Sequence, residues 1–288
     1  MRTRTSLVLS VVLAASCVAP AALAHPVVPS VFGDSGWRGT TAVGLTTDQR
    51  LVQFDVDRPS RARSLGSVTG LSGDTELVGI DYRVQDCRLY GVGDQGGIYT
   101  LNTRTAVAAK VSQLTVALSG TSFGVDFNPA ANRLRIISDT GQNLRHNIDD
   151  PAAPLTTIVD GTLTNPTMPP STALGATAAA YTNNDLNGAT ATTLFDIDTL
   201  ADRVSLQSPA NAGTLAPTGN LGVDAGPDAG FDIHFDAKSG TNRGFATLET
   251  NGVFRLYGVD LLTGKATSKG AFPTNHQVEE LALPINKR

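Results

Sequence analysis

Gly79-Ile80-Asp81-Tyr82, Gly124-Val125-Asp126-Phe127 and Gly230-Phe231-Asp232-Ile233 are three copies of one pattern, a glycine, an apolar residue and an acid inside a strand-like run. Weaker copies stand at Ala179-Ala180-Tyr181 and Val278-Glu279-Glu280-Leu281. A second pattern, an apolar residue followed by Asp or Asn, closes short alternating runs at Val56-Asp57, Leu101-Asn102, Ile148-Asp149, Ile197-Asp198 and Val259-Asp260, at intervals of 45, 47, 49 and 62 residues. A short acceptor side chain at the end of a strand bonds backbone beyond it and starts a turn. Between the two patterns lie Arg88 to Val92, Arg133 to Ser138 and Arg243 to Leu248, and a polar stretch after each Asp or Asn leads to a further strand. Each unit therefore reads as a four-stranded antiparallel sheet.

Sheets repeating at this period, with no helical periodicity, predict an all-β closed β-propeller. We count five blades, with six as the alternative. The first unit, Thr41 to Thr69, lacks a Gly-apolar-acid strand, and Val278 to Leu283 has no unit after it. Pairing the last strand with the first unit would seal the ring and remove exposed edges. Asp160 to Leu174 and Ser205 to Gly230, rich in Pro, Gly, Thr and Ala, are expected to be long surface loops.

The chain starts with Arg2 and Arg4, an apolar run from Leu7 to Ala15 and Ala22-Leu23-Ala24, the features of a secretory signal spanning 1–24. A linker at 25–40, one propeller domain at 41–284 and a tail at 285–288 follow. The signal's apolar run is too short to span a membrane. A secreted, extracellular protein is expected. Lipid attachment at Cys17 is the rival reading, disfavoured because Leu13-Ala14-Ala15-Ser16 places Ala where such signals want Leu. Cleavage after Ala24 leaves Cys87 as a free, buried thiol, with no disulfide framework. The formal net charge of −4, more negative once Arg2 and Arg4 are removed, argues against nucleic acid as partner.

The chain resembles the secreted bacterial family known as domain of unknown function 4394. The resemblance is carried by Gly79-Ile80-Asp81-Tyr82-Arg83, by 118–129 from Leu118-Ser119-Gly120 to Phe127-Asn128-Pro129, and by 133–145 from Arg133-Leu134-Arg135 to Asn143-Leu144-Arg145; Tyr181-Thr182-Asn183-Asn184 and Leu194-Phe195-Asp196-Ile197-Asp198 also match. It implies export and a propeller-like repeat fold. It brings no activity or site residues with it.

Asp81, Asp126 and Asp232 share one phase of the repeat and would converge on the axis of a closed ring, with Glu279 or Glu280 as a fourth carboxylate. Converging carboxylates can hold Ca²⁺. Acceptors for turns within each blade would recur in the same way, and Ala180 occupies the equivalent place in another unit, so the three are read first as structural, with no metal. Ser138 to Arg145 has no counterpart in the other units. Asp139, Asn143 and Arg145, with Arg135 and Arg133 near, form a candidate ligand site for a carboxylate or sugar, since Arg presents a fixed fork of donors; a hairpin turn is the plainer account.

Asp139-Thr140-Gly141 lacks the second carboxylate triplet of an aspartic protease. The four histidines, His25, His146, His234 and His276, show no zinc spacing. The expectation is a monomeric, non-catalytic extracellular binding or scaffolding propeller taking a glycan or peptide. The alternative is a metal-assisted hydrolase or lyase on the same scaffold.

Overall fold

The computed structural model describes residues 39–285, so the signal, Cys17, His25, most of the linker and the end of the tail lie outside the described residues. Strands β1 (Thr41–Thr46), β2 (Arg50–Asp55) and β3 (Arg58–Ser67) open the fold. Blade II is β4 (Leu77–Arg83), β5 (Arg88–Gly93), β6 (Gly97–Leu101) and β7 (Ala108–Gln113). Blade III is β8 (Phe123–Asn128), β9 (Arg133–Ser138), β10 (Asn143–His146) and β11 (Thr157–Val159).

A two-stranded ribbon, β12 (Thr164–Asn165) and β13 (Ser171–Thr172), precedes blade IV, which is β14 (Ala176–Tyr181), β15 (Leu194–Asp198), β16 (Arg203–Gln207) and β17 (Leu215–Asn220). Blade V is β18 (Ala229–Asp236), β19 (Thr241–Thr250), β20 (Val253–Val259) and β21 (Ala266–Ala271). The last strand, β22 (Val278–Ala282), pairs antiparallel with β1, Val43 facing Ala282 and Gly44 facing Leu281. Blade I is thus built from both ends of the domain, and the five-bladed propeller is sealed as the sequence predicts.

Five apolar clusters fill the gaps between blades. Phe54, Phe245, Phe254 and Phe272 join blades V and I, with Phe54 and Phe272 edge to face at 5.0 Å. Tyr90, Phe123, Phe127, Leu134 and Ile136 join II and III. Each fully buried large apolar side chain contributes about 1.5–3 kcal/mol. The glycine of the repeat is required by close approach: a Cβ on Gly124 would stand 2.6 Å from the Ala179 amide N, and one on Gly79 2.4 Å from Val125.

Some local expectations are corrected. Asn102 and Asp260 accept N–H bonds from Arg104 and Leu262 as turn starters, but at the first copy Asp55 does this for Asp57, and Asp57 pairs with Lys269. Ile197-Asp198 ends the second strand of its blade, whereas the other copies follow a third strand; hence the uneven intervals. Ser205 to Gly230 is not one long loop: it holds part of β16, a short 3-10 turn at Ala210–Ala212 and all of β17, whose Leu215 is fully buried. Cys87 is half-buried, at a left-handed turn position. No helix among the described residues is long and apolar enough to cross a membrane.

Candidate functional site: the carboxylate-lined axis

The inner strands β22, β4, β8, β14 and β18 pack side by side around the axis. Two cross-blade hydrogen bonds fix their phase: the Phe127 N–H donates to Asp81 Oδ2 at 2.8 Å, and the Leu283 N–H to Asp232 Oδ2 at 2.5 Å. Asp81 and Asp232 therefore each reach the residue after the matching position of the next blade in the ring. By that register the axial layer is Asp81, Asp126, Ala180, Asp232 and Ala282. Neither Glu279 nor Glu280 is the fourth member; Glu280 stands at the place of the repeat glycine. The acceptor role expected within each blade is met by the adjoining N–H of the same strand and extends to the next blade.

The carboxylate oxygens of Asp81, Asp126 and Asp232 come within 4.8 Å of one another, and all three side chains are buried. Asp81 also accepts from its neighbour Tyr82 N–H, and Asp232 from Ile233 N–H. Both oxygens of Asp126 are buried without a hydrogen-bond partner. Burial, and then the charge of Asp232, pushes Asp81 well above the usual carboxylate range. Burial and the charges of Asp81 and Asp232 do the same to Asp126, and burial raises Asp232 to about 7.

Where these inner strands begin, the axis opens into a cavity of about 140 Å³, lined by Thr47, Gln49, Glu76, Thr121, Asp228 and Glu279, among others, and by no basic residue. Glu280 lines it as well. Burial, reinforced by Asp228, Glu76 and Asp48, raises Glu279 to about 8. Glu280 is pushed well above its ordinary value by burial. Asp228 rises to about 6 through burial, with the charges of Asp139 and Glu249 adding to it. A wider groove of about 1040 Å³, lined by Phe195, Arg243, Phe245, Asp260 and Lys269 among others, mixes both signs of charge.

The Ser138 to Arg145 segment divides. Asp139 sits beside the mouth, where its carboxylate accepts from the Thr121 N–H at 2.9 Å and hydroxyl at 2.7 Å. Arg135, Asn143 and Arg145 point into the gap between blades III and IV, where the apolar cluster is rich in small alanines. Arg135 is buried and donates to Asp160 (2.6 Å), Asn143 (2.7 Å), Asn211 (2.8 Å) and Tyr181 (3.2 Å). Arg145 holds the same Asp160 through two nitrogens. Arg133 pairs with Asp150. Arg135 and Asn143 thus join blades, Arg135 and Arg145 together pin the start of the 160–174 segment, and Arg133 bonds within blade III.

His146 is buried between Ser112 Oγ and Thr157 Oγ1, so both ring nitrogens are occupied by hydroxyls, and burial lowers its pKa. Glu76, Asp228 and Asp160 were not singled out from the sequence. The first two had a signal, an acid five or four residues before an axial Asp; Asp160 had none.

Fold and site together define a five-bladed β-propeller with a carboxylate-lined axis. Within that class the chain belongs to the family described as Domain of unknown function (DUF4394), whose model matches residues 50–282. No curated protein matches it. Among solved structures it is similar to an auxiliary nutrient binding protein from Bacteroides ovatus, at 12% identity and TM-score 0.42, over 72% of this chain and 55% of that one. A second auxiliary nutrient binding protein, from Bacteroides thetaiotaomicron, aligns at 11% identity and TM-score 0.44, over 87% and 63%. Glutaminyl cyclase from Myxococcus xanthus aligns at 17% and 0.41, over 73% and 83%. The chain spans only about a half to two thirds of the two nutrient binding proteins.

Proposed function

We propose that this is a non-catalytic extracellular binding propeller that grips a positively charged group of its ligand, such as a lysine or arginine side chain of a peptide, at the axial mouth. The observation that carries this reading is the cavity of about 140 Å³, bounded by Glu76, Asp228, Glu279 and Glu280 without a basic side chain. Ligand sites on rigid folds gather at concave places with a few converging polar groups. Carboxylates strained by burial and mutual repulsion gain most from an incoming cation. The expectation of export supports an extracellular ligand. Asp139 adds negative charge at the rim, which gives it a part in this site, while Arg135, Asn143 and Arg145 serve the scaffold.

Calorimetric titration of the purified protein with short lysine- or arginine-containing peptides, their neutral isosteres and a panel of neutral glycans tests the reading. Saturable binding of the cationic peptides alone, weakened about tenfold or more by Glu279→Gln with Glu76→Gln, is expected. Binding of neutral glycans that ignores both substitutions, or no binding of any probe, would reject it.

A further inference from the structure

The axial layer below the mouth carries a second, separate site. We propose that Asp81, Asp126 and Asp232 together hold one divalent cation of the Ca²⁺ class. One carboxylate oxygen from each of the three lies within 4.8 Å of the other two. Oxygens around a single Ca²⁺, bonded at about 2.3–2.6 Å, span that same range, whereas Mg²⁺ at about 2.0–2.1 Å draws its ligands closer.

The independent observation is Asp126. It is 1% exposed, and neither oxygen has a hydrogen-bond partner. A buried polar group left without a partner is costly, and a buried carboxylate more so. Asp81 and Asp232 are already oriented by two backbone N–H groups each, from their own strand and from the next blade. That is the kind of support that aims metal-ligating carboxylates. Asp126 has no hydrogen bond of good geometry; the Tyr181 N–H, counterpart of those from Phe127 and Leu283, faces it and favours its ionised form without outweighing burial and the two neighbouring carboxylates. Ala180 and Ala282, which complete the layer, bring no countercharge.

Oxygen-only, carboxylate donors select a hard cation over zinc or copper. The acid-lined mouth opens at the start of the same strands: Leu77, Phe123 and Asp228 line it three or four residues before the triad. The cation would tie blades II, III and V together at the centre of the ring, where no backbone ladder joins them. This inference does not require the mouth to bind a ligand.

Elemental analysis of the full chain, loaded with Ca²⁺ and then dialysed into metal-free buffer, gives the stoichiometry; thermal melts of stripped protein with and without about millimolar Ca²⁺ give the linkage. We expect one calcium per chain, and a melting temperature raised by roughly 5 °C or more by Ca²⁺ and by less with Mg²⁺. Asp126→Asn, close in shape but neutral, should bind no calcium and lose the shift, while Gly188→Ala, where an added methyl group meets nothing within 4 Å, keeps both. Should the Asn variant fail to fold, the wild-type titration decides alone. A wild-type protein without calcium and without a shift would mean a protonated, purely structural triad and overturn the inference. Calcium retained by Asp126→Asn, or a larger effect of Mg²⁺, would overturn it as well.

Discussion

The Leu283 N–H donates to Asp232 Oδ2 at 2.5 Å across the blade V to blade I boundary, joining residues 51 positions apart. The same bond runs from Phe127 to Asp81, 46 positions apart. The repeat acid is thus the means by which one inner strand registers the next, and β22 repeats it at the closure. Ending the chain before Val278 would remove this strand, leave the β1 edge bare and open the apolar cluster of Phe54, Leu281 and Leu283. Exposed edges pair with other chains. We expect the truncated protein to lose its cooperative melt and to aggregate in sedimentation; a monomeric, sharply melting product would contradict the closure's importance.

Arg135 and Arg145 share Asp160, but only Arg135 is fully buried. Replacing Arg135 with Ala leaves Asp160 half-paired and strands the Asn143, Asn211 and Tyr181 partners. A cost of about 3–5 kcal/mol is expected in urea denaturation. Arg145→Ala removes a partly exposed partner and should cost about 1 kcal/mol or less, with peptide affinity unchanged. Equal losses for the two would show that burial does not rank them.

Gly124→Ala adds a methyl group against the backbone of blade IV, at 2.6 Å from the Ala179 N. Forced overpacking of this kind costs about 1–3 kcal/mol or more. Gly188→Ala meets nothing within 4 Å and serves as the control. Chemical denaturation of the two variants should separate them; if Gly124→Ala is as stable as the control, the close approach of the inner strands is not what the repeat glycine serves.

Glu279 goes from 4.5 in a free side chain to about 8, through burial and the carboxylates of Asp228, Glu76 and Asp48. The folded state therefore holds more protons than the unfolded chain between those values, so this group's contribution to stability is full below about 4.5 and is lost as pH rises through about 8. Glu279→Gln should melt progressively higher than wild type as the buffer goes from the lower to the upper end of that window. A cationic peptide, which favours the ionised mouth, should bind wild type more tightly over the same rise. A constant difference in melting temperature would mean that Glu279 titrates as a free carboxylate.

The repeat was legible because its causes are local and periodic. Gly79, Gly124 and Gly230 mark the close strand approach, the acid two residues on marks the cross-blade acceptor, and the Asn102 and Asp260 turns follow from side-chain chemistry alone. The convergence of Asp81, Asp126 and Asp232 could be read from phase. Phase failed at the ends of the ring, where Ala282 and not a glutamate completes the layer, because the closing strand carries no glycine to set the count. The partnership of Arg135 with Asp160 and Asn211 was hidden, since it depends on how the long 160–174 segment and the turn before β17 meet between two blades. The acidic mouth was hidden for a similar reason: Glu76, Asp228 and Glu279 lie on three blades and meet only through closure.

Binding at the axial mouth is read out by hydrogen exchange measured with and without a saturating lysine peptide. Slowed exchange is expected at 76–78, 121–123 and 279–280, segments that line the mouth. Protection confined to the outer groove around Phe195, Arg243 and Phe245 would contradict it.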